Sequence, residues 1–130
     1  MCSQAMLTAY AAAFGMDRQA ALKVSGAFGG GMGRMGEICG AVTGAFMVIG
    51  LKFGRTDVKD AKSHEETNRL VKGFTERFKQ RNGSIVCREL LGCDLITEEG
   101  RKIFIDDKFR DTKCVKFVRD AAEIIEEILA

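Results

Sequence analysis

The chain has 130 residues, 46% of them hydrophobic and 29% charged, which describes one globular domain with a single core and excludes a disordered or collagenous chain. A net charge of +2 leaves no footprint for nucleic acid or anionic lipid. Proline and tryptophan are absent and five residues are cysteine, so the chain reads as helices joined by glycine-centred turns, with thiols as its chemical speciality.

Taken in order, Cys2 to Phe14 is rich in strong helix formers and is stopped by Gly15. Asp17 caps a second helix from Arg18 to about Ser25, with Ala21, Leu22 and Val24 as its apolar residues. The glycine-rich run from Gly26 to Gly36 is predicted as a loop. Glu37 opens a third helix ending near Phe53, in which Gly40 and Gly44 leave one side nearly bare, so that another backbone or a cofactor can approach closely. Asp57 caps a long charged helix through about Arg81, with a second capping box at Ser63 to Glu66 and an apolar stripe of Leu70, Val71, Phe74 and Phe78. A short helix spans Ser84 to Leu91, Thr97 caps another, and Asp111 or Thr112 starts the last, whose predicted stripe is Val115, Val118, Ala122, Ile125 and Leu129. The prediction is an all-α single domain over residues 1–130, a bundle of about six helices with a Gly-rich loop before a central helix.

Charge is unevenly spread. Through Gly54 only 6 of 54 residues are charged, whereas the remaining 76 carry 32, so the first part is expected in the core or in an interface and the second as a solvated coat. The surplus of uncharged residues predicts a homodimer. The uncharged stretches Met1 to Met16 and Ile38 to Leu51 are too short and too polar to cross a bilayer, and no basic region marks a signal peptide. A cytoplasmic, reducing compartment is the expectation, and there a concentration of cysteine points to metal or redox chemistry before structural disulfides.

Gly31 to Gly36 spells the dinucleotide pattern G-x-G-x-x-G, but a helix rather than a strand precedes it. What remains is an anion or cofactor cradle using Gly31, Gly33, Arg34 and Gly36, or simply a tight connection that lets helices pack. His64, the single histidine, falls on a charged face and reads as a solvated side chain. A metal site would then be mostly thiolate. Cys39 and Cys114 fall in predicted first turns of helices, where the dipole favours thiolate, and Cys93 follows Gly92 six residues after Cys87. Cys39, Cys87, Cys93 and Cys114 are the predicted site, either as a disulfide relay or as ligands of an iron-sulfur cluster or zinc, and at least three of them are expected together beside the Gly-rich loop. Cys2 is left out of this set because chain ends fray.

Four segments together resemble the C-GCAxxG-C-C family of redox-active proteins across nearly the whole chain: Cys2 to Ala5, Phe28 to Ala45, Cys87 to Asp94, and Cys114 to Val118. The order here is Cys39-Gly40-Ala41, not the Gly-Cys-Ala of the family name. The resemblance implies a cytoplasmic redox protein, counts Cys2 among the family's cysteines, associates related domains with electron transfer and so with an iron-sulfur centre, and implies a further helix before the first cysteine. It supplies no substrate. Two other function classes stand beside redox chemistry: a helical interaction module with structural thiols, and a small-molecule enzyme that holds an anionic substrate with the Gly-rich loop and Arg34.

Overall fold

A computed structural model describes residues 1–130 as seven α-helices with no strand. Helix α1 runs Cys2–Ala11 and continues as a 3-10 turn, Ala12–Phe14, before Gly15 ends it in the left-handed region. Helix α2 is Arg18–Gly26, α3 Gly40–Phe53, α4 Ala61–Asn82, α5 Cys87–Leu91, α6 Glu98–Asp106 and α7 Val115–Leu129. The fold class and the central helix agree with expectation; several boundaries and faces do not.

Asp17 caps α2 as predicted, accepting a bond from the Ala20 amide at 2.9 Å, and Thr97 caps α6 by accepting from Gly100 at 2.9 Å. The long helix starts later than predicted. Asp60, not Asp57, caps it through the Ser63 amide at 3.0 Å, so Ser63 lies in the first turn and opens no second helix. Helix α3 begins at Gly40 rather than Glu37, because residues 36–39 are pulled into extended pairing with residues 85–88. That same pairing shortens the predicted Ser84 to Leu91 helix to α5.

Helix α3 is the core element. Its residues 40–45 are all buried, and α1, α4 and α7 pack around it. The bare face is taken by the α1 backbone: a Cβ on Gly44 would stand 2.7 Å from Met6 Cβ and 2.9 Å from the Ser3 carbonyl. On the other side a chain of rings ties three helices together, Phe46 edge-on to Phe74 at 5.9 Å, Phe74 stacked on Phe78 at 6.0 Å, and Phe78 against Phe117 at 6.3 Å. Burying each such ring contributes about 1.5–3 kcal/mol. In α7 the buried face is Phe117, Ala121, Ile124 and Ile125; Val115 is exposed, so the predicted stripe is rotated by about one position. Val24 of α2 is exposed too, its place facing the core being taken by Ser25. Ser25 is fully buried without cost because its hydroxyl donates to the Ala21 carbonyl at 2.6 Å. The rim between α4 and α7 carries charge, with Arg81 near Asp120, Glu123 and Glu127.

No helix is long and apolar enough to cross a membrane.

A cavity lined by four thiols

The two segments that displaced the predicted helix ends build the floor of the site. Ile38 and Val86 form an isolated antiparallel bridge; the Cys39 amide donates to the Ile85 carbonyl at 2.8 Å, and the Cys87 amide donates to the Glu37 carbonyl. Positions 39 and 87 stand one step either side of that bridge on opposite strands, so alternation sends both side chains to the same face. Cys39 caps α3 and Cys87 opens α5, both buried.

The Gly-rich loop closes over them. Five consecutive residues, Gly30 to Arg34, have φ between 60° and 69°, one turn of left-handed helix. For Met32 and Arg34 this costs roughly 1–2 kcal/mol each. Glycine at position 31 is required on two counts, its φ of 69° and its surroundings, since a Cβ there would meet Cys87 Cβ at 2.6 Å and the Glu37 amide at 2.7 Å. The amides of residues 32–37 donate to carbonyls of residues 27–32, with Gly33 to Ala27 at 2.7 Å and Glu37 to Gly31 at 2.8 Å among them. They are therefore not free to form the amide cradle that the glycine pattern suggested. Gly30, Gly31 and Arg34 line a cavity of about 710 Å³ together with Cys39 and Cys87. Gly33 and Gly36 do not line it; Gly36 instead accepts bonds from the amide and guanidinium of Arg88.

Cys114 and Cys2 complete the wall. Cys114 does not sit at a free helix start: it ends a stretch of wider π-helical turns, Arg110–Cys114, that runs directly into α7. Such bulges turn side chains off the regular helical register and recur at functional sites. Cys2, left out on grounds of fraying, is the first residue of α1 and lines the cavity, held there because α1 lies in the glycine groove of α3, where a Cβ on Gly40 would come 3.2 Å from Cys2 Cβ. Cys93 does not line the cavity, although it lies close enough to Cys87 to raise its pKa. Of the four predicted cysteines the structure thus brings together Cys39, Cys87 and Cys114, and adds Cys2. The signal for Cys2 in the sequence was the glycine face of α3, which needs a backbone partner.

The four thiols are not equivalent. The neighbouring Cys114 thiol above all lowers the Cys2 pKa from 9.0 to about 7, against the opposing effect of burial. The same neighbour relation drives the Cys114 pKa upward, reinforced by burial and by the negative charge on Cys2. Burial pushes Cys39 up to about 12, with the Cys2 charge adding to it, and Cys87 up to about 11 for the same two reasons. Of the four, Cys2 is therefore the thiol favoured to ionise first, while Cys39, Cys87 and Cys114 are held toward the protonated form. By donor type the set would suit zinc or iron-sulfur, yet as placed no three of the chain's His, Cys, Asp and Glu side chains form a group that could hold a metal ion. His64 is exposed on α4, within 3.5 Å of Asn68.

Neither a curated protein nor a solved structure matches the chain. One family model does, over residues 1–128, and its description reads "Putative redox-active protein (C_GCAxxG_C_C)". It spans every element that builds the cavity, from Cys2 at the start of α1 to all but the last residues of α7, and the chain belongs to that family of redox-active proteins.

Proposed function

We propose that the protein carries out thiol–disulfide exchange with Cys2 as the attacking thiolate and Cys114 as the resolving thiol. The observation that carries this reading is that Cys2 and Cys114 line one cavity as close neighbours, the Cys114 thiol favouring the thiolate on Cys2 while its own proton is held more tightly. The Cys2 thiolate attacks one sulfur of a substrate disulfide, forming a mixed disulfide and expelling the other half as a thiolate. Once Cys2 is bonded, its negative charge no longer holds the Cys114 proton. Cys114 gives that proton to the departing thiolate and attacks the Cys2 sulfur, releasing the second half as a thiolate that takes its proton from water. The protein dithiol is oxidised by two electrons, and one disulfide is reduced to two thiols. Cys39 and Cys87, buried and protonated, form the floor beneath the reacting pair. A redox partner protein belongs to this reading as the dithiol that returns the pair to its reduced state, and the cytoplasm as the compartment.

The test is a single turnover with one equivalent of dithiodipyridine in the absence of oxygen, followed by peptide mapping. The expected product has lost two hydrogens and carries a Cys2–Cys114 link. A link through Cys93, or a mixed disulfide on Cys2 that never resolves, would sink the assignment. A metal centre on the same thiols is checked by anaerobic purification with metal analysis and a visible spectrum; with no group of three or more ligating side chains, the expected result is a colourless protein with less than one equivalent of metal.

A homodimer remains part of the proposal on narrower grounds than the charge count offered, because α1 and α3 use most of the uncharged N-terminal residues on each other. The large apolar side chains left at the surface for it are Met1, Val24, Met35, Val58, Ile96, Ile105 and Val115. Light scattering at micromolar concentration should return twice the chain mass of 14.2 kDa, and a monomer mass would remove the dimer from the proposal.

A further inference from the structure

The cavity has a chemical bias beyond its thiols. Three of its lining residues are arginines, Arg34, Arg101 and Arg110, and none is acidic. No ion pair of the chain engages any of the three, a state they share with Arg18, Arg55 and Arg119 outside the cavity, whereas Arg69, Arg77, Arg81 and Arg88 have carboxylate partners. Arg101 is fixed in place by donating to the Leu95 and Ile96 carbonyls at 3.0 and 2.9 Å; Arg34 and Arg110 have no such anchor and stand exposed. Fourteen of the 21 lining residues are hydrophobic, the four cysteines included, with Leu90, Leu91, Leu95, Phe104 and Val118 among them. A volume of about 710 Å³ is that of a small-molecule site, and Cys39 and Cys87 lie only 5% and 7% exposed within it.

We infer that the disulfide this protein reduces is a small organic one with an apolar body and carboxylate ends, its acid groups met by Arg34 and Arg110 at the mouth and its sulfur–sulfur bond delivered to Cys2. The inference rests on the exchange reaction proposed above and adds the class of its substrate. An inorganic anion would leave the apolar wall unused, and a disulfide without acid groups would leave Arg34 and Arg110 unmet. The arginines act twice: they bind the carboxylates by charge-assisted hydrogen bonds, and Arg110 also favours the thiolate on Cys2. The atom and electron balance is that of the exchange reaction, one carboxylate-bearing disulfide yielding two carboxylate-bearing thiols while Cys2 and Cys114 become a disulfide.

The experiment compares two aromatic disulfides of similar size on the full chain, the dianionic dithiobis(nitrobenzoate) and the neutral dithiodipyridine, following the coloured thiol released in a single turnover. The ratio of the anionic to the neutral rate is expected to exceed that of the urea-unfolded chain by about tenfold or more, and to fall by about tenfold in an Arg34→Asn, Arg110→Gln double variant. Asparagine at position 34 tolerates the positive φ that the loop imposes there. Arg119→Gln, on the surface away from the cavity, should keep the wild-type ratio. In wild-type protein naphthoate, an unreactive aromatic carboxylate, should protect Cys2 from the neutral probe with saturation, a readout that does not depend on any variant folding. A ratio unmoved by the double variant, a ratio lowered equally by Arg119→Gln, or an absence of naphthoate protection overturns the substrate class while leaving the exchange reaction standing. If neither probe reacts at Cys2 faster than with the unfolded chain, the exchange reaction itself is wrong.

Discussion

Replacing Cys114 by alanine should slow the alkylation of Cys2 at pH 7 by about tenfold or more and move its pH inflection upward. The thiolate is the nucleophile, so the rate rises with pH through the Cys2 pKa and is flat above it. With that pKa lowered to about 7, the inflection falls at neutral pH and roughly half of the thiol is ionised there. Without the donor at position 114 the thiol returns toward the free value of about 8.5, where only a few per cent is ionised at pH 7. The measurement is iodoacetamide labelling of Cys2 against pH, quantified by peptide mass. Cys114→Ser discriminates further: a hydroxyl still donates a hydrogen bond, so the inflection should stay closer to neutral, while resolution of a mixed disulfide is lost entirely. An unshifted inflection in Cys114→Ala would mean that the two sulfurs are neighbours without being coupled, and the assignment of attacking and resolving roles would go with it.

The second large effect concerns how Cys2 is kept in place. Gly44→Val inserts a branched side chain where α1 already lies against α3, with Met6 Cβ and the Ser3 carbonyl inside contact distance of the new Cβ. Backbone cannot move aside as a flexible side chain would, so the expected loss is about 2–3 kcal/mol, near the upper end for overpacking. Because α1 carries Cys2 at its first residue, the same variant should raise the Cys2 alkylation inflection as the helix is pushed off its groove. Two turns further on, Gly50→Ala is expected to act in the opposite direction. Nothing lies within 4 Å of a Cβ at Gly50, and replacing a helical glycine by alanine stabilises by up to about 1 kcal/mol. Urea denaturation of the two variants beside wild type checks both signs. Equal effects at the two glycines would show that the helices are not seated as closely as the structure places them.

The all-helical class was already determined by the sequence, because the absence of proline, the glycine stops and the caps at Asp17 and Thr97 act over a few residues and need no partner. So was the closeness of Cys39 to the Gly-rich segment, which follows from their nearness along the chain. The stripe on α4 was legible for the same reason: Phe74 and Phe78 are one turn apart and both fully buried. The start of α3 was not, since Glu37 is a sound local helix opener and loses only to pairing with residues 85–88, about fifty positions away. The face of α7 turned by one position because α3 and α4 pack against the side that carries Phe117, Ala121 and Ile124, and two adjacent apolar rows on one helix leave that choice to its neighbours. Cys2 shows the division most plainly. Read locally, a residue beside the first in the chain is free to fray; in the fold its helix rests on the two glycines of α3, and the Cys114 thiol meets its sulfur from the opposite end of the sequence. Which cysteines share a cavity, which of them keeps the negative charge, and that three arginines look into that cavity without a single carboxylate all depend on contacts between segments far apart in the chain. Residue types and spacing carry no record of such contacts, so only the tertiary structure could decide them.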